Sequence, residues 1–309
     1  MITVIGSLNM DLVINTNKIP RPGETVIGKN FKQIPGGKGA NQADAAAKLG
    51  AQVNMIGAIG KDSIGDKLKM HLKQDGVNIQ SIVEKEGKST GVATVIVEES
   101  GNNAITVIPG ANYELQIKDV QKYREIIINS DILVTQLEIP QDAVKEALKI
   151  AKQERKITIL NPAPAAELDK DILKYVDILT PNETELEYLS GHKTDTFKNV
   201  EIAGKTLLNQ GIKKLVVTLG EKGCLYICEN KTKYFPAYKV KTVDTTAAGD
   251  GFNAALAVSL SKGETIEEAI KFATKVAAMT VTKEGAQISL PLKKEVDHFE
   301  KWIHTQKLV

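Results

Sequence analysis

Short apolar segments typical of buried strands alternate with amphipathic helical segments along most of this 309-residue chain. The first two strands are predicted at 2–6 and 53–60, and an Ala-rich helix at 39–50 lies between them. A second helix is predicted at 63–76, and both helices end at a Gly, as helices commonly do. Further segments of the two kinds follow at 131–138, 142–154, 156–161, 176–180, 203–211 and 214–220. This alternation predicts an α/β fold of three layers, in which a mostly parallel central sheet carries helices on both faces.

Two stretches, 11–34 and 89–109, interrupt this pattern because they contain no helical period. The second predicts a β-hairpin, in which GVATVIVE and AITVIP flank the turn-rich ESGNN. We expect these strands to form a small β-sheet lid over a site. A decorated sheet edge is the alternative. The α/β core would then comprise 1–10, 35–88 and 110–309, and the lid 11–34 and 89–109.

Charge and motifs exclude several classes of protein. Lys and Arg number 40 against 38 Asp and Glu, which gives no electrostatic reason to expect nucleic acid or an anionic membrane as partner. Apolar runs are far shorter than the ~20 residues that span a bilayer. Met1 leads directly into a strand without the regions of a signal peptide, so a cytoplasmic location is expected. The P-loop, dinucleotide-binding and G-x-S-x-G motifs are all missing from the sequence.

The cysteines and histidines do not predict a metal site. Cys224 and Cys228 occupy a predicted strand, where positions four apart lie ~13 Å from each other, so two packed thiols are expected. The four histidines are scattered along the chain without zinc-ligand spacing.

Polar residues follow the predicted strands of the core. Asn9 and Asp11 come after the first strand, and Glu138 ends a later one. NPAPA (161–165), PNETE (181–185) and TLGEKG (218–223) follow three others. Ligands of open α/β sheets bind beyond the carboxyl ends of the strands. These segments therefore predict a site there for a small, hydroxyl-rich substrate.

Two Gly-rich turns, 35–43 and 246–255, precede helices and could bind phosphate with their backbone amides. In the second turn, Ala247, Ala248 and Gly249 leave those amides unobstructed, and Asp250 follows in the first helical turn. Taken alone, Asp250 could be there only because the helix dipole favours it. An amide nest beside a carboxylate, however, supplies what phosphoryl transfer needs: stabilisation of developing charge and a base for the attacking hydroxyl.

Two interpretations remain open for each of three further residues: Asn182, Glu185 and Lys38. Asn182 and Glu185 have the spacing of a capping box, and they could also hold magnesium through water near nucleotide phosphates. Lys38 could be a solvated surface lysine, although the small residues around it favour close approach of a ligand.

The motifs GGKGANQA (36–43) and DTTAAGDGFNAAL (244–256) resemble the two signatures of the ribokinase-like (phosphofructokinase B) sugar kinase family. GSLNMD, NPAPA, PNETE and TLGEKG stand in the family's order, and the resemblance extends over 1–305. Two positions depart from the family pattern. Ala247 replaces a Gly that is more usual there, and Asp44 replaces an apolar residue and is expected to face solvent.

The resemblance implies ATP-dependent phosphorylation of D-ribose at its 5-hydroxyl, with magnesium and with a monovalent cation such as potassium as activator. It also implies a homodimer that pairs through the lids. Asp250 would be the base, and Ala247, Ala248 and Gly249 would form the anion hole. A kinase for 2-deoxyribose, another pentose or a nucleoside is the nearest alternative, and a non-catalytic sugar or nucleotide sensor on the same fold is the second.

The implied binding residues fall into three sets. Sugar binding is assigned to Asn9, Met10, Asp11, Gly37, Lys38, Gly39, Ala40, Asn41, Glu138 and Asp250. ATP binding is assigned to Asn182, Thr218, Leu219, Gly220, Glu221, Lys222, Gly223, Gly249, Asp250 and Thr274, with Thr274 near the adenine end. The metals are assigned to Asn182 and Glu185 for magnesium and to Asp244, Thr246, Thr280, Lys283, Gly285 and Ser289 for potassium.

Overall fold

The computed structural model describes residues 1–100 and 102–306. The strands of these residues are β1 Ile2–Ile5, β2 Asn9–Thr16, β3 Asn30–Gly36, β4 Val53–Gly60, β5 Asn78–Lys85, β6 Gly91–Glu98, β7 Asn103–Ile108, β8 Ile132–Thr135, β9 Ile157–Leu160, β10 Ile178–Leu179, β11 Lys214–Thr218, β12 Gly223–Cys228 and β13 Lys231–Pro236. The helices are α1 Lys38–Lys48, α2 Ser63–Gln74, α3 Ile117–Lys122, α4 Arg124–Ile128, α5 Gln141–Gln153, α6 Lys170–Leu173, α7 Glu183–Ser190, α8 Phe197–Asn209, α9 Ala248–Ser261, α10 Ile266–Thr280, α11 Lys293–Asp297 and α12 Phe299–Gln306.

Nine strands form the central sheet, in the order β13-β12-β11-β10-β9-β8-β1-β4-β5. The seven strands from β11 to β5 run parallel, and β12 and β13 complete the edge as an antiparallel hairpin. The predicted three-layer α/β fold with a mostly parallel sheet is therefore confirmed. Because the parallel strands share one direction, their carboxyl ends lie along one edge of the sheet.

Helices cover both faces of the central sheet, and each face has its own apolar core. In β1, Ile2 and Val4 pack into the core that contains α1, α9 and α10, whereas Ile5 packs into the core that contains α5 and α8. Successive side chains of a strand point to opposite faces, so a strand buried on both faces reads as continuously apolar. Helix α8 begins at Phe197, six residues before the predicted start, because the Thr196 side chain accepts from the Asn199 amide and caps the helix.

A second sheet of four strands, in the order β3-β2-β6-β7, contains both interrupting stretches. Its β2–β6 pair is parallel and its other pairs are antiparallel, and β6 with β7 forms the predicted hairpin. The β2–β3 ladder extends beyond 11–34 at both ends, because Asn9 pairs with Gly36.

Across the described residues, none of the helices has the length and apolar character that crossing a membrane requires.

Candidate active site

A cleft of about 770 Å³ opens between the carboxyl edge of the central sheet and the small sheet. Polar side chains that follow the core strands line its floor, as the sequence predicts: Asn9, Asp11, Glu138, Asn161, Asn182 and Thr218. The predicted convergence of strand ends on one rim is therefore observed. The cleft is large enough to admit more than one small ligand.

One face of the small sheet forms the opposite wall of the cleft. Three cross-strand rows contribute to it: Asp11 with Ala93 and Val107, Val13 with Val95 and Ile105, and Asn15 with Val97 and Asn103. Ile105 and Val107 are more than half exposed. This wall is therefore mainly apolar and partly exposed.

The first Gly-rich turn brings α1 against β1. Gly37 has φ +90°, and a Cβ there would lie 2.7 Å from the Asn9 nitrogen, so the position needs Gly. The Lys38 amide donates to Glu138 Oε2 at 3.1 Å, and the Ser7 hydroxyl donates to the same oxygen at 2.5 Å. These contacts fix Glu138 at the start of α1, beside the Lys38 side chain that lines the cleft.

Asp250 lies in the first turn of α9 and is almost fully buried at the floor of the cleft. Asn41 Nδ2 donates to its Oδ2 at 2.9 Å and Gln42 Nε2 donates to its Oδ1 at 3.0 Å. Burial raises the pKa of Asp250, while Lys38, Asn41 and Gln42 oppose the rise. The carboxylate is thus oriented by two amides and has an increased affinity for a proton.

A chain of buried side-chain amides holds the residues that contact Asp250, and the sequence did not predict this chain. Gln136 donates to Gln42 Oε1 at 2.6 Å, and Gln42 Nε2 also lies 3.2 Å from Asn161 Oδ1. Asn253 Nδ2 donates to the Gly249 carbonyl at 2.8 Å, and Thr180 donates to Asn253 Oδ1. Gln42 itself could have indicated this chain from the sequence. It is a second amide directly after Asn41, and it lies both in the Gly-rich motif and in the predicted Ala-rich helix.

The ionisable groups around Asp11 and Lys38 in the cleft influence one another's charge. Burial, with the negative charges of Glu138 and Asp250, raises the pKa of Asp11 to about 7. Burial would lower the pKa of Lys38, but Asp250, Glu138 and Glu185 outweigh it and raise that pKa. Lys38 therefore carries its positive charge close to three carboxylates at the cleft, which favours a role there over that of a solvated surface lysine.

The turn before α9 places backbone amides at the cleft. Ala247 adopts the left-handed conformation (φ 60°, ψ 6°), which costs a non-Gly residue about 1–2 kcal/mol and explains why Gly is more usual at this position. The amide of Ala248 donates to the Thr245 carbonyl at 3.2 Å. Within the described ranges, the amides of Ala247, Gly249 and Asp250 have no such partner, and all three residues line the cleft.

Asn182 and Glu185 form the predicted capping box of α7. Asn182 Oδ1 accepts from the Glu185 amide at 2.8 Å, and Glu185 Oε2 accepts from the Asn182 amide at 2.9 Å. Burial raises the pKa of Glu185, while the Asn182 amide and Lys38 oppose the rise. Both residues also line the cleft, so the structural role of the pair leaves the second carboxylate oxygen of Glu185 available to a ligand.

The segment 218–223 lies next to this cap. The Thr218 amide donates to the Pro181 carbonyl at 2.9 Å, and Lys222 pairs with Glu183 at 3.2 Å. Thr218 lines the cleft, whereas Leu219 is buried beneath the turn. Thr274 is buried on α10, where its hydroxyl donates to the Ile270 carbonyl at 2.8 Å.

Asp244 connects two loops beside the N-terminus of α9 through hydrogen bonds, the loop that contains Thr246 and the loop that contains Gly285. Its Oδ1 accepts from the amide and the hydroxyl of Thr246, and its Oδ2 accepts from the Gly285 amide at 2.9 Å. The hydroxyls of Thr280 and Ser289 donate to carbonyls of their own segments, and Lys283 pairs with Glu295. Asp244, Thr246 and Gly285 therefore meet at the cleft, whereas the side chains of Thr280, Ser289 and Lys283 are engaged elsewhere.

Several residues of the predicted sets are not among the described residues that line the cleft: Met10, Gly39, Ala40, Ala248, Leu219, Gly220, Glu221, Lys222, Gly223, Thr274, Thr280, Lys283 and Ser289. Met10 and Ala40 belong to the apolar core, and Gly39 permits α1 to contact Gly6 and Ser7. Gly220, Glu221 and Lys222 are instead exposed to solvent.

The expectation that Asp44 faces solvent is wrong. Asp44 is fully buried, and its Oδ2 pairs with Lys48 Nζ at 2.8 Å. Helix α1 packs against β1, β4, α2 and α9, so even its polar positions are covered.

A sequence model of the pfkB carbohydrate kinase family matches residues 1–293. This chain belongs to that family. It is 40% identical to the ribokinase of Haemophilus influenzae, with 96% of this chain and 97% of the relative covered. It is 37% identical to a deoxyribokinase of Salmonella typhi, with 98% of each covered. Its fold matches the Arabidopsis thaliana ribokinase complexed with ribose and ATP (TM-score 0.91, 32% identity), with 97% of this chain and 98% of that chain covered.

Proposed function

We propose that this protein is an ATP-dependent kinase of D-ribose, which transfers the terminal phosphoryl group of ATP to the 5-hydroxyl of the sugar. The observation that carries the proposal is the buried Asp250 carboxylate, held by Asn41 and Gln42 beside unpaired amides at the start of α9. A base next to an anion-binding turn is the arrangement that phosphoryl transfer needs. The similarity to ribokinases over nearly the whole chain supports ribose as the substrate.

In the proposed reaction, the 5-hydroxyl of ribose gives its proton to Asp250 as its oxygen attacks the terminal phosphorus of ATP. The bond between that phosphorus and the bridging oxygen breaks, and ADP leaves. The amides of Ala247, Gly249 and Asp250 would stabilise the charge on the transferring group. Asp11, Asn9, Asn41, Lys38 and Glu138 would bind the sugar hydroxyls.

Magnesium fits the nucleotide end of the cleft. The Glu185 carboxylate and the Asn182 side chain are oxygen ligands of the kind that magnesium prefers, and both line the cleft. When bound, the ion would offset phosphate charge. For potassium, Asp244 with the backbone around Thr246 and Gly285 offers the oxygen-rich surroundings that a monovalent cation needs, with Thr280, Lys283 and Ser289 contributing only through their carbonyls.

The small sheet is proposed to act as a lid and as the contact between two copies of the chain. Its cleft face is mainly apolar, which suits closure over a bound sugar. Its other face carries Phe31, which stands in one cross-strand row with Ile14 and Ile96, and Ile108, which pairs with Val92; Phe31 and Ile108 are both more than half exposed. We propose that a second copy covers this face in a homodimer.

A coupled assay of ADP formation with ribose, 2-deoxyribose, fructose and adenosine tests the function. Ribose should give the highest kcat/KM, since the polar groups that hold its 2-hydroxyl are left unpaired by 2-deoxyribose. A higher kcat/KM for 2-deoxyribose would favour the deoxyribokinase alternative, which the similarity to such an enzyme keeps open. Binding of ribose and ATP without turnover would favour the sensor.

A further inference from the structure

A cluster of ionisable side chains lies between α1 and α2, outside the cleft. Asp44 projects from α1, and His71 and Asp75 stand four residues apart at the end of α2. One ligand atom from each of the three lies within 4.8 Å of the other two. Nothing in the proposed reaction uses these residues.

Each of the three residues holds a buried polar atom without a hydrogen-bond partner among the residues described, and Asp75 Oδ2 makes only the longer ion-pair contacts, at 3.4 Å to Lys48 Nζ and 3.6 Å to His71 Nε2. These atoms are Asp44 Oδ1, His71 Nε2 and Asp75 Oδ2. The Asp44 side chain is fully buried, so its unpaired oxygen cannot be satisfied by bulk water. A buried polar atom without a partner costs free energy, so Asp44 Oδ1 is the atom for which a ligand would contribute most.

The geometry suits a tetrahedral metal ion. His71 Nε2 and Asp75 Oδ2 are 3.6 Å apart. Bonds of ~2.0–2.1 Å from zinc to nitrogen and oxygen place neighbouring ligand atoms about 3.3–3.5 Å from each other. One imidazole and two carboxylates are ligands that zinc and related divalent ions accept, with a water in the fourth position.

The charged groups at this cluster are two carboxylates and one ammonium. Lys48 Nζ lies 2.8 Å from Asp44 Oδ2 and 3.4 Å from Asp75 Oδ2, so it competes with a metal ion for the same carboxylates. Lys48 donates to Asp44 Oδ2 and to the Gln287 carbonyl at 2.7 Å, which leaves the opposite oxygen of Asp44 free to face an ion.

We propose that Asp44, His71 and Asp75 form a binding site for a divalent transition-metal ion of the zinc class. The ion takes one oxygen from each carboxylate and Nε2 from the imidazole. His71 and Asp75 are each about one-quarter exposed, so the ion can reach the site from solvent.

The test is titration of the chelator-treated protein with zinc chloride, followed by calorimetry, and with cobalt chloride, followed by visible absorption. Wild type should bind one equivalent and give the intense absorption of tetrahedral cobalt. Asp44→Asn and His71→Gln should weaken zinc binding at least about tenfold. Loss of a residue that only supports a metal ligand already lowers metal affinity about 10–100-fold, and loss of the ligand itself should cost at least as much. Lys48→Gln should strengthen it, because a competing positive charge is removed. His192→Gln alters an exposed histidine elsewhere and should bind like wild type.

The proposal is overturned if wild type binds no zinc at micromolar concentration, or if His71→Gln binds zinc as tightly as wild type. Melting temperature is measured for each variant. If Asp44→Asn does not fold, His71→Gln alone decides, since its side chain is partly exposed and the replacement keeps a polar atom in place.

Discussion

At the scale of a single residue, Asp11 lowers the stability of the folded protein in order to place a carboxyl group in the cleft. Its carboxyl is buried beside Glu138 and Asp250, and the pKa is raised from 3.8 to about 7. A raised carboxyl pKa means that the folded state binds the proton more tightly than the unfolded state. The stabilisation that comes from this tighter proton binding is fully present below about pH 4 and is lost as the pH rises to about 7.

Asp11→Asn should therefore stabilise the protein without ligands, and the gain should grow between pH 4 and 7. At pH 8 we expect an increase of roughly 2–4 kcal/mol in the free energy of unfolding, since each pKa unit is worth about 1.4 kcal/mol. Urea denaturation of both proteins at pH 5 and pH 8 measures the difference. A gain that is equal at both values, or smaller at pH 8, would show that Asp11 is not held in this environment.

At the scale of elements, the sequence predicts the order of strands and helices because their periods are local properties. It also predicts which strand ends carry polar side chains. The surroundings of α1 could not be predicted, because they depend on partners far along the chain: Gln42 meets Asn161, and Lys48 meets the Gln287 carbonyl. Asp44 was misjudged for the same reason, since helical periodicity identifies one apolar face and α1 is covered on its others as well.

The N-terminus of α9 gives a prediction at this scale. Asp244 connects the loop before α9 to the Gly285 loop, and a bound monovalent cation would fix both. Replacing potassium by tetramethylammonium at constant ionic strength should lower kcat, because the amides of the turn lose their fixed orientation. Steady-state rates in the two salts measure the effect. Equal rates in the two salts would show that a monovalent cation does not activate this enzyme.

At the scale of the whole molecule, two sheets of different construction enclose one cleft. The central sheet supplies the polar floor and the small sheet supplies an apolar wall, so closure of the second over the first would exclude water from the reacting groups. The outward face of the small sheet leaves Phe31 exposed, next to Ile14.

Sedimentation velocity tests the role of that outward face. Wild type should be a dimer at micromolar concentration, and Phe31→Glu should be a monomer, because a charge buried at the contact would be unpaired. Tyr188→Glu, which changes another exposed aromatic residue on α7, should remain a dimer. A monomeric wild type, or a dimeric Phe31→Glu, would contradict the proposed contact.

The central claim is that this cleft brings a sugar hydroxyl to Asp250. The direct measurement is turnover of ribose and ATP by Asp250→Asn, together with its melting temperature and its affinity for both ligands. Asp142→Asn, which changes an exposed carboxylate in the first turn of α5, is the matched control. The amide nitrogen introduced by Asp250→Asn would face an amide donor of Asn41 or Gln42, so a small decrease in melting temperature is expected and folding has to be verified. We predict that turnover falls about 10²–10⁴-fold while ribose and ATP still bind and Asp142→Asn behaves as wild type. A folded Asp250→Asn protein that keeps more than about a tenth of wild-type turnover would contradict the assignment of Asp250 as the base.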